Sequence, residues 1–238
     1  MLYSKENLVK KYKEPIDSVI TGLQEILQKR LISVYGCGSW IRNETRKDSD
    51  IDFFFVINSY ISEEEKDAVK QLEKNILQRW SHLGFTGVDI RFVNEKDEDN
   101  YFTIAHKEII QIDGCLLYGT AFTWDIYHDY STPQIVEAFN KIATYIYKNL
   151  LKPHDADLHV RERSRRSLVK TLLRTLEWLA VLKGAPISHS MDGYIDHIKM
   201  YIPEFTQTVE TTMKIYKKEK ISDSEVSFLD DTLMKVLK

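Results

Sequence analysis

Apolar residues recur at spacings of three and four through the first stretch of the chain, at Leu8, Ile16, Val19, Ile20, Leu23, Ile26 and Leu27. That period predicts a helix over residues 4–29, with Lys29 and Arg30 suited to its C-terminus and Pro15 placed to kink or restart it. The pattern then changes to short β-rich runs. LISVYG (31–36) and DIDFFFVI (50–57) predict buried strands, the first ending in a glycine turn. A helix over 62–82 opens with Ser62 and Glu65 in the spacing of a capping box. GFTGVDIRFV (84–93) and GCLLYG (114–119) predict two further strands, with a helix continuing from the acidic stretch between them. Beyond about residue 120 only helical periods remain, over 132–151, 158–183, 191–202, 204–219 and 222–237, punctuated by Pro153, Gly184-Ala185-Pro186 and Pro203.

The expected class is therefore α+β: a small mixed sheet flanked by helices in residues 1–120, then an all-α bundle in residues 121–238. Composition agrees, since 9 glycines and 5 prolines in 238 residues leave no room for collagen-like or linker character. A net charge of −3 supplies no global basic field, so nucleic acid is not the expected partner. Cys37 and Cys115 stand far apart in apolar company, which argues against a disulfide framework or a cysteine-built zinc site and for a reducing cytoplasm. The first fourteen residues are too charged for a secretory signal. Apolar runs such as Phe53–Ile57 fall far short of the roughly 20 residues of a membrane span.

The stretch that carries chemistry is VYGCGSWIRNETRKDSDIDFFFVI, residues 34–57. In a strand, residues i and i+2 share a face, so Asp50 and Asp52 project together while Ile51 and Phe53 face a core. Neighbouring carboxylates repel unless a cation sits between them, and hard oxygen donors suit magnesium or manganese. Upstream, Gly38 lets the backbone approach a ligand closely. Ser39 can donate its hydroxyl and cap a helix expected over WIRNETR, whose N-terminus would favour phosphate oxygens. A phosphate seat followed by a paired-carboxylate seat is what a magnesium-bound nucleoside triphosphate requires.

With a Gly-Ser turn, about ten residues, and Asp-x-Asp entering a strand, the chain resembles the polymerase-β-like nucleotidyltransferases, within them those with a helical C-terminal domain. The resemblance covers roughly residues 31–93 and implies a third carboxylate on a later strand, for which Asp89 in GVDIRFV stands in place. It implies that Asp50, Asp52 and Asp89 bind two magnesium ions, that Asp89 can take the acceptor's proton, and that Gly38 and Ser39 hold outer phosphates. Asp48 precedes the strand and is read as solvent-facing.

Residues 159–184 carry a basic helix. Leu168, Leu172, Leu176 and Ala180 form its apolar stripe, and Arg166, Lys170 and Arg174 follow one another at steps of four along another side. The resemblance gives these three a role in neutralising the triphosphate; a solvated basic face is the plain alternative. Seven histidines show no metal-binding spacing. Trp124, Tyr127, Trp178, Tyr194 and Tyr201 are either core or walls of an acceptor pocket.

The expected activity is transfer of a nucleotidyl group, with ATP the expected donor, to a hydroxyl of a small-molecule acceptor such as an aminoglycoside-like antibiotic. Residues 95–99, Asp125 and Asp129 are candidate contacts for a cationic acceptor. The alternative is an antitoxin-type nucleotidyltransferase that binds or adenylylates a partner protein. Acceptor, preferred base and oligomeric state stay open.

Overall fold

The computed structural model describes residues 5–42, 45, 49–95, 100–122, 130–151, 158–217 and 222–236. Contacts divide the chain into two compact units, Met1–Asp99 with His106–Ile126, and Asn100–Ala105 with Tyr127–Lys238.

In the first unit, helix α1 (Lys5–Leu27) turns Tyr12, Ile16, Val19, Leu23 and Leu27 inward, all buried and spaced by three or four. Pro15 cannot donate to the carbonyl four residues back, and the backbone leaves helical geometry at Tyr12 (φ −108, ψ 16). Strands β1 (Leu31–Cys37) and β2 (Asp50–Ile57) follow. Helix α2 (Glu63–Trp80) starts at the capping box: Ser62 Oγ accepts from the Glu65 amide, and Glu65 Oε2 accepts from the Ser62 amide. Next come β3 (Gly87–Asn94), α3 (Tyr101–Asp113), which belongs to this unit from His106 on, and β4 (Cys115–Gly119). They complete a four-stranded sheet of order β3-β2-β1-β4. β1 lies antiparallel to both β2 and β4, whereas β2 and β3 run parallel, with α2 as the crossover that parallel pairing demands.

Both faces of the sheet are covered, which explains the unbroken apolar run at 53–57. Ile51, Phe53, Phe55, Ile57, Val88 and Ile90 pack with α1 and α2. Phe54, Val56 and Val93 pack on the other side with Tyr35, Cys37 and Ile110 of α3. Asp50 and Asp52, and Asp89 and Arg91, alternate onto this second side at the N-terminal ends of β2 and β3.

The second unit is helical. Its helices are α4 (Thr132–Ile146), α5 (Leu158–Leu182), α6 (Met191–Tyr201), α7 (Thr206–Lys217) and α8 (Asp223–Val236), and α4 runs on through a π-helical turn, Tyr147–Leu151. α5 is its centre. Leu168 and Leu172 pack with Ala143, Tyr147, Leu151, Ile215 and Leu229. Val169, Leu173, Leu176 and Ala180 pack with Tyr194, Ile198, Ile202 and Val209. The expected α+β class, a mixed sheet followed by a helical bundle, is what the chain adopts. Among the described residues no helix is long and apolar enough to cross a membrane.

Candidate functional site

The connection leaving β1 is fixed from inside. Trp40 is fully buried, stacks edge-on to Tyr12 at 5.6 Å and tilts against Phe53 at 5.2 Å. Its ring also fills the space over Gly36, where a Cβ would stand 2.5 Å from it. Trp40 Nε1–H donates to the Asp52 carbonyl at 3.2 Å, tying the turn to β2. Gly38 is held at φ +88, a conformation that suits glycine, and a Cβ there would meet Asp52 Oδ2 at 2.9 Å. Gly38 therefore lies directly against the Asp52 carboxylate.

Of the helix expected over WIRNETR, residues 40–42 form a turn with 38 and 39 instead, and 43, 44 and 46 lie outside the described residues. In that turn the Gly38 carbonyl accepts from the amides of Ile41 (3.2 Å) and Arg42 (3.4 Å). Trp40 and Ile41 fold inward onto the core, and that packing closes the chain into a turn at once. The described segment thus brings no helix dipole to the Ser39 hydroxyl. Ser39 Oγ lies 3.5 Å from Ser49 Oγ, and Arg42 Nη1 lies 3.4 Å from Asp113 Oδ2 at the end of α3.

The strand register sets the carboxylates. Asp52 of β2 is the direct partner of Asp89 of β3, and Asp50 is opposite Gly87. Paired residues of adjacent strands stand about 4.8 Å apart and point to one side. Asp50, Asp52 and Asp89, drawn from positions nearly forty apart in sequence, thus share one patch, with Gly38 at its edge.

A fourth residue joins them. Arg91, two positions beyond Asp89 on the same side of β3, donates from Nη2 to Asp89 Oδ2 at 2.9 Å and approaches Asp52 Oδ1 at 3.7 Å. Burial works to lower the pKa of the guanidinium, but Asp52, Asp89 and Asp50 outweigh it and hold the group above its ordinary value. The Phe54 ring lies under it, 5.7 Å from centroid to guanidinium carbon. Next to Phe54, His106 of α3 packs edge-on at 5.1 Å, with Nδ1 3.4 Å from the Phe92 carbonyl oxygen. Burial and the Arg91 charge push its pKa down to about 3, so the imidazole is neutral near pH 7.

Among the described residues no three carboxylate, imidazole or thiol groups gather closely enough to hold a metal ion as they stand. The donor chemistry nonetheless fits a hard divalent cation: carboxylates on adjacent strands, facing one side, already drawing a positive charge between them.

The basic residues fall in the other compact unit. Lys170 is exposed, and Arg166 and Arg174 are half-buried. Arg174 lies over the rings of Phe139 and Tyr194, at 5.7 and 5.9 Å. Trp178 and Tyr194 are buried in the helical core. Asp48, residues 96–99, Trp124, Asp125, Tyr127 and Asp129 lie outside the described residues.

Sequence reading passed over Arg91, Trp40 and His106. Arg91 had a visible signal, since a charged residue two positions from Asp89 must share its side of the strand. Trp40 and His106 had none, because their roles depend on partners distant in sequence.

This architecture, a Gly-Ser turn against paired strand-end carboxylates, defines the nucleotidyltransferase class. A family model for the nucleotidyltransferase domain matches residues 16–179, and the chain belongs to that family. The fold agrees: the spectinomycin adenyltransferase AAD(9) from Enterococcus faecialis, solved with ATP and spectinomycin, superposes with a TM-score of 0.61 at 15% identity, covering 95% of this chain and 99% of that one. No curated protein matches the chain. The resemblance to polymerase-β-like nucleotidyltransferases is thus borne out by family and by fold.

Proposed function

We propose that this nucleotidyltransferase is a cytoplasmic adenylyltransferase that moves AMP from ATP to a hydroxyl of a small-molecule acceptor and releases pyrophosphate. The observation that carries the reading is the Asp52–Asp89 register pair with Gly38 packed against Asp52. The fold shared with an adenyltransferase solved with ATP and an antibiotic supports both the donor and the acceptor class.

In this reading residues 1–120 are the catalytic domain and 121–238 a helical domain that closes on nucleotide and acceptor. Asp50, Asp52 and Asp89 hold magnesium, or manganese in its place. The bound cations would neutralise charge developing on the phosphate oxygens. Gly38 leaves the Asp52 carboxylate open to a ligand that any side chain would crowd. Ser39 donates its hydroxyl to an outer phosphate oxygen. Asp89 accepts the proton of the acceptor hydroxyl as its oxygen bonds to the α-phosphorus and the α–β bridging bond breaks. Arg166, Lys170 and Arg174 offset the charge of the departing pyrophosphate. The rate gain comes mainly from positioning and charge stabilisation.

The test is transfer from α-labelled nucleotides to a panel of hydroxyl-bearing acceptors, including aminocyclitol and aminoglycoside compounds, beside Asp52→Asn. Label moves to a small molecule from ATP in the wild type, and the variant loses about 10³-fold or more while melting as the wild type does. An active Asp52→Asn protein overturns the site. Label on a protein instead of a small molecule overturns the acceptor class.

A further inference from the structure

The carboxylate patch has its own cation. Three aspartates on one side of two adjacent strand ends repel one another, and a positive charge among them lowers that repulsion. Arg91 supplies that charge from within the chain: it bonds Asp89, reaches toward Asp52 and senses Asp50 as well. The guanidinium leans on the Phe54 ring and turns its Nη2 to the carboxylates. The Arg91 side chain is 39% exposed, so part of it already meets solvent.

We propose that Arg91 is a resident counter-ion which a divalent cation must displace, so that guanidinium and metal compete for the same carboxylates. The proposal rests on the reading of Asp50, Asp52 and Asp89 as metal ligands. It has a consequence for the order of binding. A bare metal ion must break the Arg91–Asp89 bond and gains only what the guanidinium gives up. A metal ion arriving with a triphosphate also brings anionic oxygens to which the released guanidinium can turn. Metal alone therefore binds weakly, and metal with nucleotide binds well. Competition of two ligands for one charge is a coupling, and couplings between sites run to about 5–150-fold.

The probe is Mn²⁺ alone, followed by electron paramagnetic resonance without nucleotide, on wild type, Arg91→Gln, Arg91→Lys and Asp52→Asn. Arg91→Gln tightens Mn²⁺ binding by about tenfold, within that range, and melts lower in chelator, with the loss restored by Mn²⁺. Arg91→Lys, which keeps the charge, binds Mn²⁺ as the wild type does. Equal Mn²⁺ affinity in wild type and Arg91→Gln overturns the proposal. If Asp52→Asn abolishes Mn²⁺ binding while Arg91→Gln changes nothing, the metal site stands and only the counter-ion role falls. If neither wild type nor Arg91→Gln binds Mn²⁺, the metal site falls and takes the counter-ion with it. Should Arg91→Gln not fold, wild-type guanidinium NMR decides: Mg²⁺ speeds exchange of the Arg91 Nη protons if the group is released, and unchanged exchange overturns the proposal.

Discussion

The N-terminal ends of β2 and β3 gather carboxylates and the basic side of α5 gathers cations, and the two groups are held in different ways. At the strand ends, parallel register brings Asp89 beside Asp52, and Arg91 then bonds one and approaches the other. Along α5, Arg166, Lys170 and Arg174 share a side through helical period alone. Arg174 spends its guanidinium over two aromatic rings, and Lys170 stands in solvent. A helical period says which residues share a side of one element. A strand register says which residues from separate parts of the chain meet, and chemistry needs the meeting.

The largest test of this contrast is Asp89→Asn. The variant keeps the side chain's size and one oxygen but loses charge and base, so turnover falls by about 10²–10⁴-fold while nucleotide affinity changes far less. Calorimetry of ATP binding beside single-turnover transfer measures both. A near-normal rate would reduce the register pair to two strand residues that happen to face one another.

Next comes Gly38→Ala. The positive φ and the 2.9 Å approach of a Cβ to Asp52 Oδ2 make it strained whatever its neighbours do. Urea unfolding should show a loss of about 1–3 kcal/mol, and transfer should fall with it because Asp52 has to move. Wild-type stability and rate would mean that the turn is not seated against the carboxylate.

A third test concerns whether the strand end is a desolvated cluster. His106 has its pKa lowered from 6.5 to about 3, so between those values the unfolded chain binds more protons than the native one. Stability therefore falls as pH drops through that window, with a slope of up to about 1.4 kcal/mol per pH unit from this group. His106→Gln should flatten the acid limb of a stability–pH curve by that contribution. Superposable curves would place the imidazole in water.

The smallest effect belongs to α5. Lys170→Ala should weaken ATP binding a few-fold and AMP binding less, since its proposed partners are outer phosphates; exposed charge pairs are worth about 1 kcal/mol or less. Equal effects on both nucleotides would return the stripe to a solvated face and make the contrast between the two regions complete.

Much of this arrangement is legible in the chain itself, for local reasons. The bounds of β2 follow from Asp-Ile-Asp entering an apolar run, and the start of α2 from the reciprocal Ser62–Glu65 bonds. The buried stripe of α5 follows from its leucine spacing. What was not legible depends on contacts between distant segments. Residues 38–42 look like the opening of a helix until Trp40 finds Tyr12 and Phe53. Asp89 reads as one outward strand residue among several until β3 is known to run parallel beside β2. Strand alternation alone puts Arg91 on the side of Asp89, whereas its reach to Asp52 depends on the β2–β3 register.

The one-to-one pairing of β2 with β3 also decides which genetic lesions the enzyme survives. Loss of the codon for Asn58 or Tyr60, both exposed, shortens the connection ahead of the Ser62 cap, and the strands can still pair as before. Loss of the codon for Val88 is of another kind. Because side chains alternate, every residue upstream or downstream of the gap must change sides. Either Asp89 and Arg91 are driven toward the α1–α2 core while Ile90 is turned out, or Gly87 and the chain before it are pulled out of step. Length can thus vary in the exposed loop between β2 and the Ser62 cap, while each position inside β3 is held in frame.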